Sequence, residues 1–359
     1  MSRVTASRST HPPSVADWDA LQDAIAGEVL LPGAPAYDRA RAAPPFARFR
    51  ELRPRAVVRC AAAGDVAEAL AFARRAGLAL AVRSGAHCFA GRSSTSGLLV
   101  DVGPMRSVTV AEGTATVAAG ARLGDVYDAL AAHGVTIAAG CGPTVGIAGL
   151  VLGGGLGILG RRHGLTSDQL VAAEVVLADG RVVVCDERRE PELFWALRGA
   201  GGGQFGVVTG VTLRTLPARP ATSFDLVWPG PHAAALVAAW QAWAPDAPDE
   251  LAASLLVVAG REVAEPPVVH LFGAMTGAEA ATGRLLDELV ARAGADPARS
   301  SLVHGTARAT KRWLAEHGPG GVQEALERDV GEVDRDARAV VDEPDRGDVL
   351  RGVLRRRGA

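Results

Sequence analysis

The stretch Gly153-Gly154-Gly155-Leu156-Gly157-Ile158-Leu159-Gly160 decides between two folds. Its second part has the spacing GxGxxG, with which a strand-to-helix turn cradles the pyrophosphate of a dinucleotide. That reading needs a clean strand before the glycines and a βαβ unit of about 30 residues around them. What precedes is more glycine, in Ala139-Gly140-Cys141-Gly142-Pro143-Thr144-Val145-Gly146-Ile147-Ala148-Gly149. The context argues against a doubly wound sheet, and a nicotinamide-dependent dehydrogenase stays as a rival reading. Two further glycine-rich stretches lie on either side, Arg83-Ser84-Gly85-Ala86-His87 and Gly199-Ala200-Gly201-Gly202-Gly203-Gln204-Phe205-Gly206-Val207-Val208-Thr209. Glycine inside an element costs about 1 kcal/mol relative to alanine. Loops this rich in it predict a large, extended ligand lying against main chain, with a nest for an anion after Arg83.

Working outward, the pattern alternates strand and helix. Ala56 to Cys60 reads as a strand, Val66 to Ala76 as an amphipathic helix stopped by Gly77, and Leu78 to Arg83 as the next strand. Strands follow at Leu98 to Val102, Ser107 to Val110 and Thr114 to Ala118, then a helix from Leu123 to His133 that Gly134 ends. Val171 to Leu177 and Arg181 to Cys185 flank Ala178-Asp179-Gly180, a hairpin signal. A short helix at Pro191 to Leu197 and a long strand at Gly206 to Leu216 complete this half. Pro217-Ala218-Arg219-Pro220 marks a boundary. Beyond it, strands at Ser223 to Val227, Ala253 to Val258 and Val268 to Ala274 and helices at His232 to Ala244 and Ala278 to Ala293 predict an antiparallel sheet backed by helices.

Composition excludes several classes. Lys+Arg 38 against Asp+Glu 40 leaves a net charge of -2, with no basic face for nucleic acid. The longest apolar stretch, Ile147 to Leu159, is broken by glycine and shorter than the roughly 20 residues of a membrane span. Cys60, Cys88, Cys141 and Cys185 form no CxxC pair, so neither zinc nor a disulfide framework is expected, and a reducing cytoplasm fits. Residues 1–16 read as a disordered leader.

The motifs resemble, in order, those of FAD-linked oxidases of the vanillyl-alcohol oxidase superfamily and its berberine bridge enzyme-like branch. Arg83 to His87 is similar to the RSGGH loop. Pro143-Thr144-Val145-Gly146, the triple glycine and Arg162-His163-Gly164-Leu165 are similar to the PTVG…GGG…RxxGL block. Leu177-Ala178-Asp179-Gly180, Phe194-Trp195-Ala196-Leu197-Arg198-Gly199 and Phe205 to Thr209 follow in register. The resemblance implies an α+β fold: a two-subdomain PCMH-type FAD-binding domain (17–217), then an antiparallel-sheet substrate domain with helices on one face (218–318). It implies FAD bonded covalently through His87, hydride removal from an alcohol or amine carbon of a sugar or secondary metabolite, and O2 as acceptor, giving hydrogen peroxide. The implied cofactor contacts are Arg83, Ser84, Gly85, Ala86, His87, Cys141, Gly142, Thr144, Val145, Gly146, Gly149, Gly154, Gly155, Gly157, Gly206 and Val208. In members with a second link, a cysteine directly precedes the Pro-Thr-Val-Gly unit. Here Gly142 holds that place and Cys141 stands one residue earlier, which in an extended loop turns the side chain away, so a single histidyl link is expected.

The family's C-terminal Tyr/Asn-rich segment has no counterpart, since Tyr37 and Tyr127 are the only tyrosines. No catalytic base is assigned, and a flavin-binding chain without turnover is the alternative. Residues 319–359 form a charged tail; from 321 to 359 no residue is aromatic, so little apolar burial offsets an ordering cost of roughly 1–2 kcal/mol per residue. Deleting 321–359 is expected to leave flavin content and melting temperature unchanged; a large drop in either would show the tail to be structural.

Overall fold

The computed structural model describes residues 12–42, 49, 51–259 and 266–317. The charged tail and most of the leader lie outside these. Helix α1 (Val15–Ala24) starts behind Ser14, whose hydroxyl accepts from the Asp17 amide while the Asp17 carboxylate accepts from the Ser14 amide, a reciprocal capping box. Strand β1 (Glu28–Leu30) and helix α2 (Tyr37–Arg41) are absent from the sequence reading because three and five residues are too short to show a period. Next come β2 (Ala56–Arg59), α3 (Ala63–Ala76), β3 (Leu80–Arg83) and β4 (Leu98–Asp101). They make a sheet in the order β1-β2-β4-β3, with β2 and β3 parallel to β4 and β1 antiparallel at the edge. Ala56, Val57, Val58, Leu98 and Leu99 are buried, as in parallel strands covered on both faces.

The second sheet contains β5 (Val108–Ala111) and β6 (Thr114–Ala118), then, after α4 (Leu123–Ala131), a two-residue strand β7 (Val135–Thr136), α5 (Ile147–Leu152) and α6 (Gly160–His163), it continues with β8 (Leu170–Val176) and β9 (Val182–Asp186). It closes with β10 (Val207–Arg214), which follows α7 (Pro191–Leu197) and precedes β11 (Leu216–Pro217), the partner of β7. The order is β5-β6-β10-β8-β9, all antiparallel, with β10 in the centre. Helix α5 buries Ile147, Ala148, Val151 and Leu152; glycines on both sides masked its period in the sequence.

The third sheet is built from β12 (Ala221–Pro229), β13 (Leu251–Val258), β14 (Val268–Thr276) and β15 (Arg299–Gly305), in the order β13-β14-β12-β15. Helices α8 (Ala233–Trp243) and α9 (Glu279–Ala293) cover one face through Phe224, Leu226, Trp228, Leu236, Leu286 and Leu289. Strand β15 and the helix after it, α10 (Ala307–His317), were not expected: β15 is a half-exposed edge without alternation. Helix α10 packs on β12 and β15 and reaches α4.

The first two sheets meet backbone to backbone. A Cβ on Gly85 would lie 2.1 Å from the Gly146 amide nitrogen; one on Gly146 would lie 2.3 Å from the Gly85 nitrogen and 2.1 Å from Ser84 Oγ. Ser84 Oγ donates to Ala119 O at 2.7 Å, and Ile147 N donates to Ala121 O at 2.9 Å, stitching both loops to the turn after β6. Gly146→Ala should therefore lower the unfolding free energy by about 1–3 kcal/mol, the usual cost of overpacking. An unchanged denaturant midpoint would show that the two loops part freely.

Candidate functional site

A cavity of about 890 Å³ opens between the glycine-rich loops and the third sheet. His87, Cys141 and Leu156 border it from the loops, Ser254 and Phe272 from the third sheet, and Tyr127 and Lys311, in contact with each other, from α4 and α10. Its size falls within the range of about 300–1,000 Å³ typical of ligand sites. The sheet face here is the one opposite α8 and α9: Phe272 pairs with Ser254 on β13 and with Asp225 on β12. Asp225 is buried and holds Arg299 at 2.6 Å and His270 at 3.4 Å.

His87 is placed by a strained residue. Ala86 takes φ 63°, a left-handed conformation costing an alanine about 1–2 kcal/mol, at a position where the resembling loop has glycine. The turn brings His87 Nε2 within 2.8 Å of Thr144 Oγ1. Cys141 borders the same cavity. The expectation that it turns away assumed an extended loop, whereas Val145 N donates to Gly142 O and bends residues 142–145 into a turn. Burial pushes the Cys141 thiol up, and Lys311 partly offsets this.

Other expected residues divide by position. Gly142, Val145 and Gly157 border the cavity, while Ser84, Gly85 and Gly146 form the contact behind His87. Arg83 and Val208 have their side chains in the protein interior. Arg83 Nη1 donates to the carbonyls of Ala40, Arg41 and Ala42, each at 2.9 Å, Nε to Ser93 O at 3.0 Å and Nη2 to Ser94 Oγ at 3.2 Å. The guanidinium thus ties β3 to the end of α2 and to the loop carrying Ser93 and Ser94. Burial lowers its pKa, with Asp101 acting the other way. Val208 packs into the core of the second sheet. Gly149, Gly154, Gly155 and Gly206 are not brought to the cavity. A Cβ on Gly155 would strike Thr166 Oγ1 at 2.4 Å and one on Gly206 the Val176 carbonyl at 2.7 Å, so the chain itself requires glycine there.

Lys311 is the residue that the sequence reading missed. Its Nζ donates to Tyr127 Oη at 2.9 Å and to Ala139 O at 2.7 Å, and it stands 4.1 Å from the centre of the Tyr127 ring. Tyr127 in turn donates to Gly140 O at 2.5 Å. Burial pulls the Lys311 amine down to about 8, with Cys141 opposing, and raises the Tyr127 phenol. An unfolded lysine titrates near 10.4. Between these values the unfolded chain binds the extra proton, so stability rises with pH across that window. Below pH 8 the buried charge costs about 3 kcal/mol, and the cost fades as pH rises from 8 to 10.4. The unfolding free energy of the wild type should therefore gain on that of Lys311→Met over this window; parallel profiles would contradict it.

The arrangement fits a flavin: an imidazole stands at the wall of a wide cavity lined largely by apolar side chains and main chain. The comparisons agree. Residues 54–186 match the FAD binding domain family. The chain is 34% identical over 238 residues to an uncharacterized FAD-linked oxidoreductase, YgaK, of Bacillus subtilis, covering 64% of this chain and 52% of the relative. It is 38% identical over 210 residues to (R)-6-hydroxynicotine oxidase of Paenarthrobacter nicotinovorans, covering 57% and 45%. Among solved structures, it is similar to Physcomitrella patens BBE-like 1 with a TM-score of 0.74 and 30% identity, over 80% of this chain and 62% of that one. The glucooligosaccharide oxidase of Acremonium strictum, described with a 6-S-cysteinyl, 8α-N1-histidyl FAD, matches with a TM-score of 0.73 and 28% identity, over 84% and 63%. The chain spans about half the length of the curated relatives it matches. Residues 54–186 thus form an FAD binding domain, and the chain is similar in sequence and fold to FAD-linked oxidoreductases of the PCMH type.

Proposed function

We propose that the protein is an FAD-dependent oxidase that takes a hydride from an alcohol or amine carbon of a sugar or secondary-metabolite substrate and passes the electrons to O2, releasing hydrogen peroxide. The observation that carries this reading is His87 at the wall of the large cavity, hydrogen-bonded to Thr144. Relatives named as oxidases of 6-hydroxynicotine and of gluco- and chito-oligosaccharides support the substrate classes. The unpaired cysteines support a cytoplasmic setting.

Bound FAD supplies the hydride acceptor that the side chains lack. The chain's own residues bind and orient. Neutral imidazole is a nucleophile near pH 7, which suits His87 to a covalent bond with the flavin ring. Cys141 stays a thiol because burial disfavours its thiolate, the form that would react. A single histidyl link is therefore proposed. Ser254 on the third sheet and Glu316 on α10 border the same cavity and offer polar groups to a hydroxylated or amine-bearing substrate.

Acid-precipitated protein should retain its flavin, His87→Ala should release it as free FAD, and Cys141→Ala should leave the attachment intact. Flavin fluorescence on a denaturing gel of His87→Ala would overturn the link. Peroxide release is to be measured with 6-hydroxynicotine, gluco-oligosaccharides and chito-oligosaccharides. Flavin retention without peroxide from any of them would favour binding without turnover.

A further inference from the structure

Of the 38 lysine and arginine side chains, Lys311 alone is lysine. The other 37 are guanidinium groups, which keep their proton at any physiological pH. The one side-chain amine is buried to 3% exposure and borders the cavity that His87 borders. No ion pair among the described residues includes it. A buried charge without a counter-charge is costly, so this setting favours the neutral amine.

The hydrogen bonds fit that neutral form. An uncharged amine has two N–H groups and one lone pair. Tyr127 Oη and Ala139 O take two N–H groups. The Tyr127 hydroxyl cannot donate to the amine at the same time, since its own proton goes to Gly140 O. The third direction of Nζ is therefore a lone pair when the amine is neutral.

We propose that Lys311 is the proton acceptor of the oxidation, with Tyr127 as the residue that positions it. The inference rests on the oxidase reading above. In the step, the O–H or N–H bond of the substrate breaks and its electron pair forms the C=O or C=N bond. The C–H pair leaves as hydride to FAD, and the proton ends on Nζ. Loss of that proton to solvent restores the amine. An arginine cannot serve, which gives a reason for a lone lysine among so many guanidinium groups.

The groups around the amine set its response to pH. Helix α4 presents Tyr127 and Asp128, and Asp128 is engaged by Arg308 of α10. The loop presents Cys141, whose interaction with the amine favours the charged form. Helix α10 itself adds Arg312 and Glu316 at the cavity. A second, small cavity behind Lys311 is bordered by His163 and by Arg162, which pairs with Glu250.

The test uses the full chain loaded with FAD. Trace acetylation with acetic anhydride is followed across pH by mass spectrometry of the peptide carrying Lys311, the sole lysine. Half-maximal labelling is expected near pH 8; a half-point above 10, or no labelling while the α-amine reacts, overturns the proposal. In parallel, anaerobic bleaching of the flavin by 6-hydroxynicotine and by gluco-oligosaccharides is timed in wild type, Lys311→Met and Lys311→Arg. The expected wild-type rate rises with pH to a plateau above about 8, and both variants are at least 100-fold slower at equal flavin content. Variants that bleach as fast as wild type overturn this proposal alone. A wild type bleached by neither compound overturns the oxidase reading and this proposal with it.

Discussion

The contact of Gly85 with Gly146 is the constraint on which the site depends. It joins a loop leaving the parallel sheet to a loop entering α5 beside the antiparallel one, at a distance that excludes a Cβ from either side. Once the backbones lie that close, the residues that follow have little freedom. Ala86 must turn into the left-handed region, and His87 then meets Thr144, two residues before Gly146. Arg83 fixes the near end by taking up the carbonyls at the end of α2. A 2.8 Å hydrogen bond between side chains is thus the outcome of main-chain packing behind it.

The third sheet is attached by a different kind of force. Arg161 donates to the carbonyls of Ala244 and Pro245, Arg162 pairs with Glu250, and Arg308 with Asp128. Partly exposed pairs of this sort contribute 0–1 kcal/mol each at the median. The Lys311–Tyr127 contact stands apart because it is buried, and burying the amine costs stability at neutral pH. Its retention at that cost is what separates it from the arginines around it.

Much of this was legible in the sequence, for identifiable reasons. Long strands such as β10 and β14 and the hairpin at Ala178-Asp179-Gly180 carried clear periodicity and turn chemistry. The loop bearing His87 was legible through its neighbours rather than through histidine itself. What was not legible falls into two groups. Elements of two to six residues, β1, β7 and α5, have no room for a pattern. Lys311 is brought to Tyr127 across 184 positions by the packing of α10, and no local spacing encodes such a meeting. Several glycines, Gly155 and Gly206 among them, are required by the chain's own close approaches, a cause that a count of glycines in the sequence does not reveal.

The central place of β10 bears on the order in which the protein can fold as it is made. Strands β6 and β8 do not pair with each other; each pairs with β10, which comes after both in the chain. The β6 edge must wait about ninety residues for its partner, roughly 4–18 s at ribosomal rates of about 5–20 residues per second. Through that interval the hairpin of β5 and β6 leaves the ribosome with one edge unpaired, and Ala115 and Val117, buried in the finished sheet, lack the strand that covers them. The nascent chain is most exposed to wrong strand pairing in that window, and it closes only once Arg214 has cleared the exit tunnel.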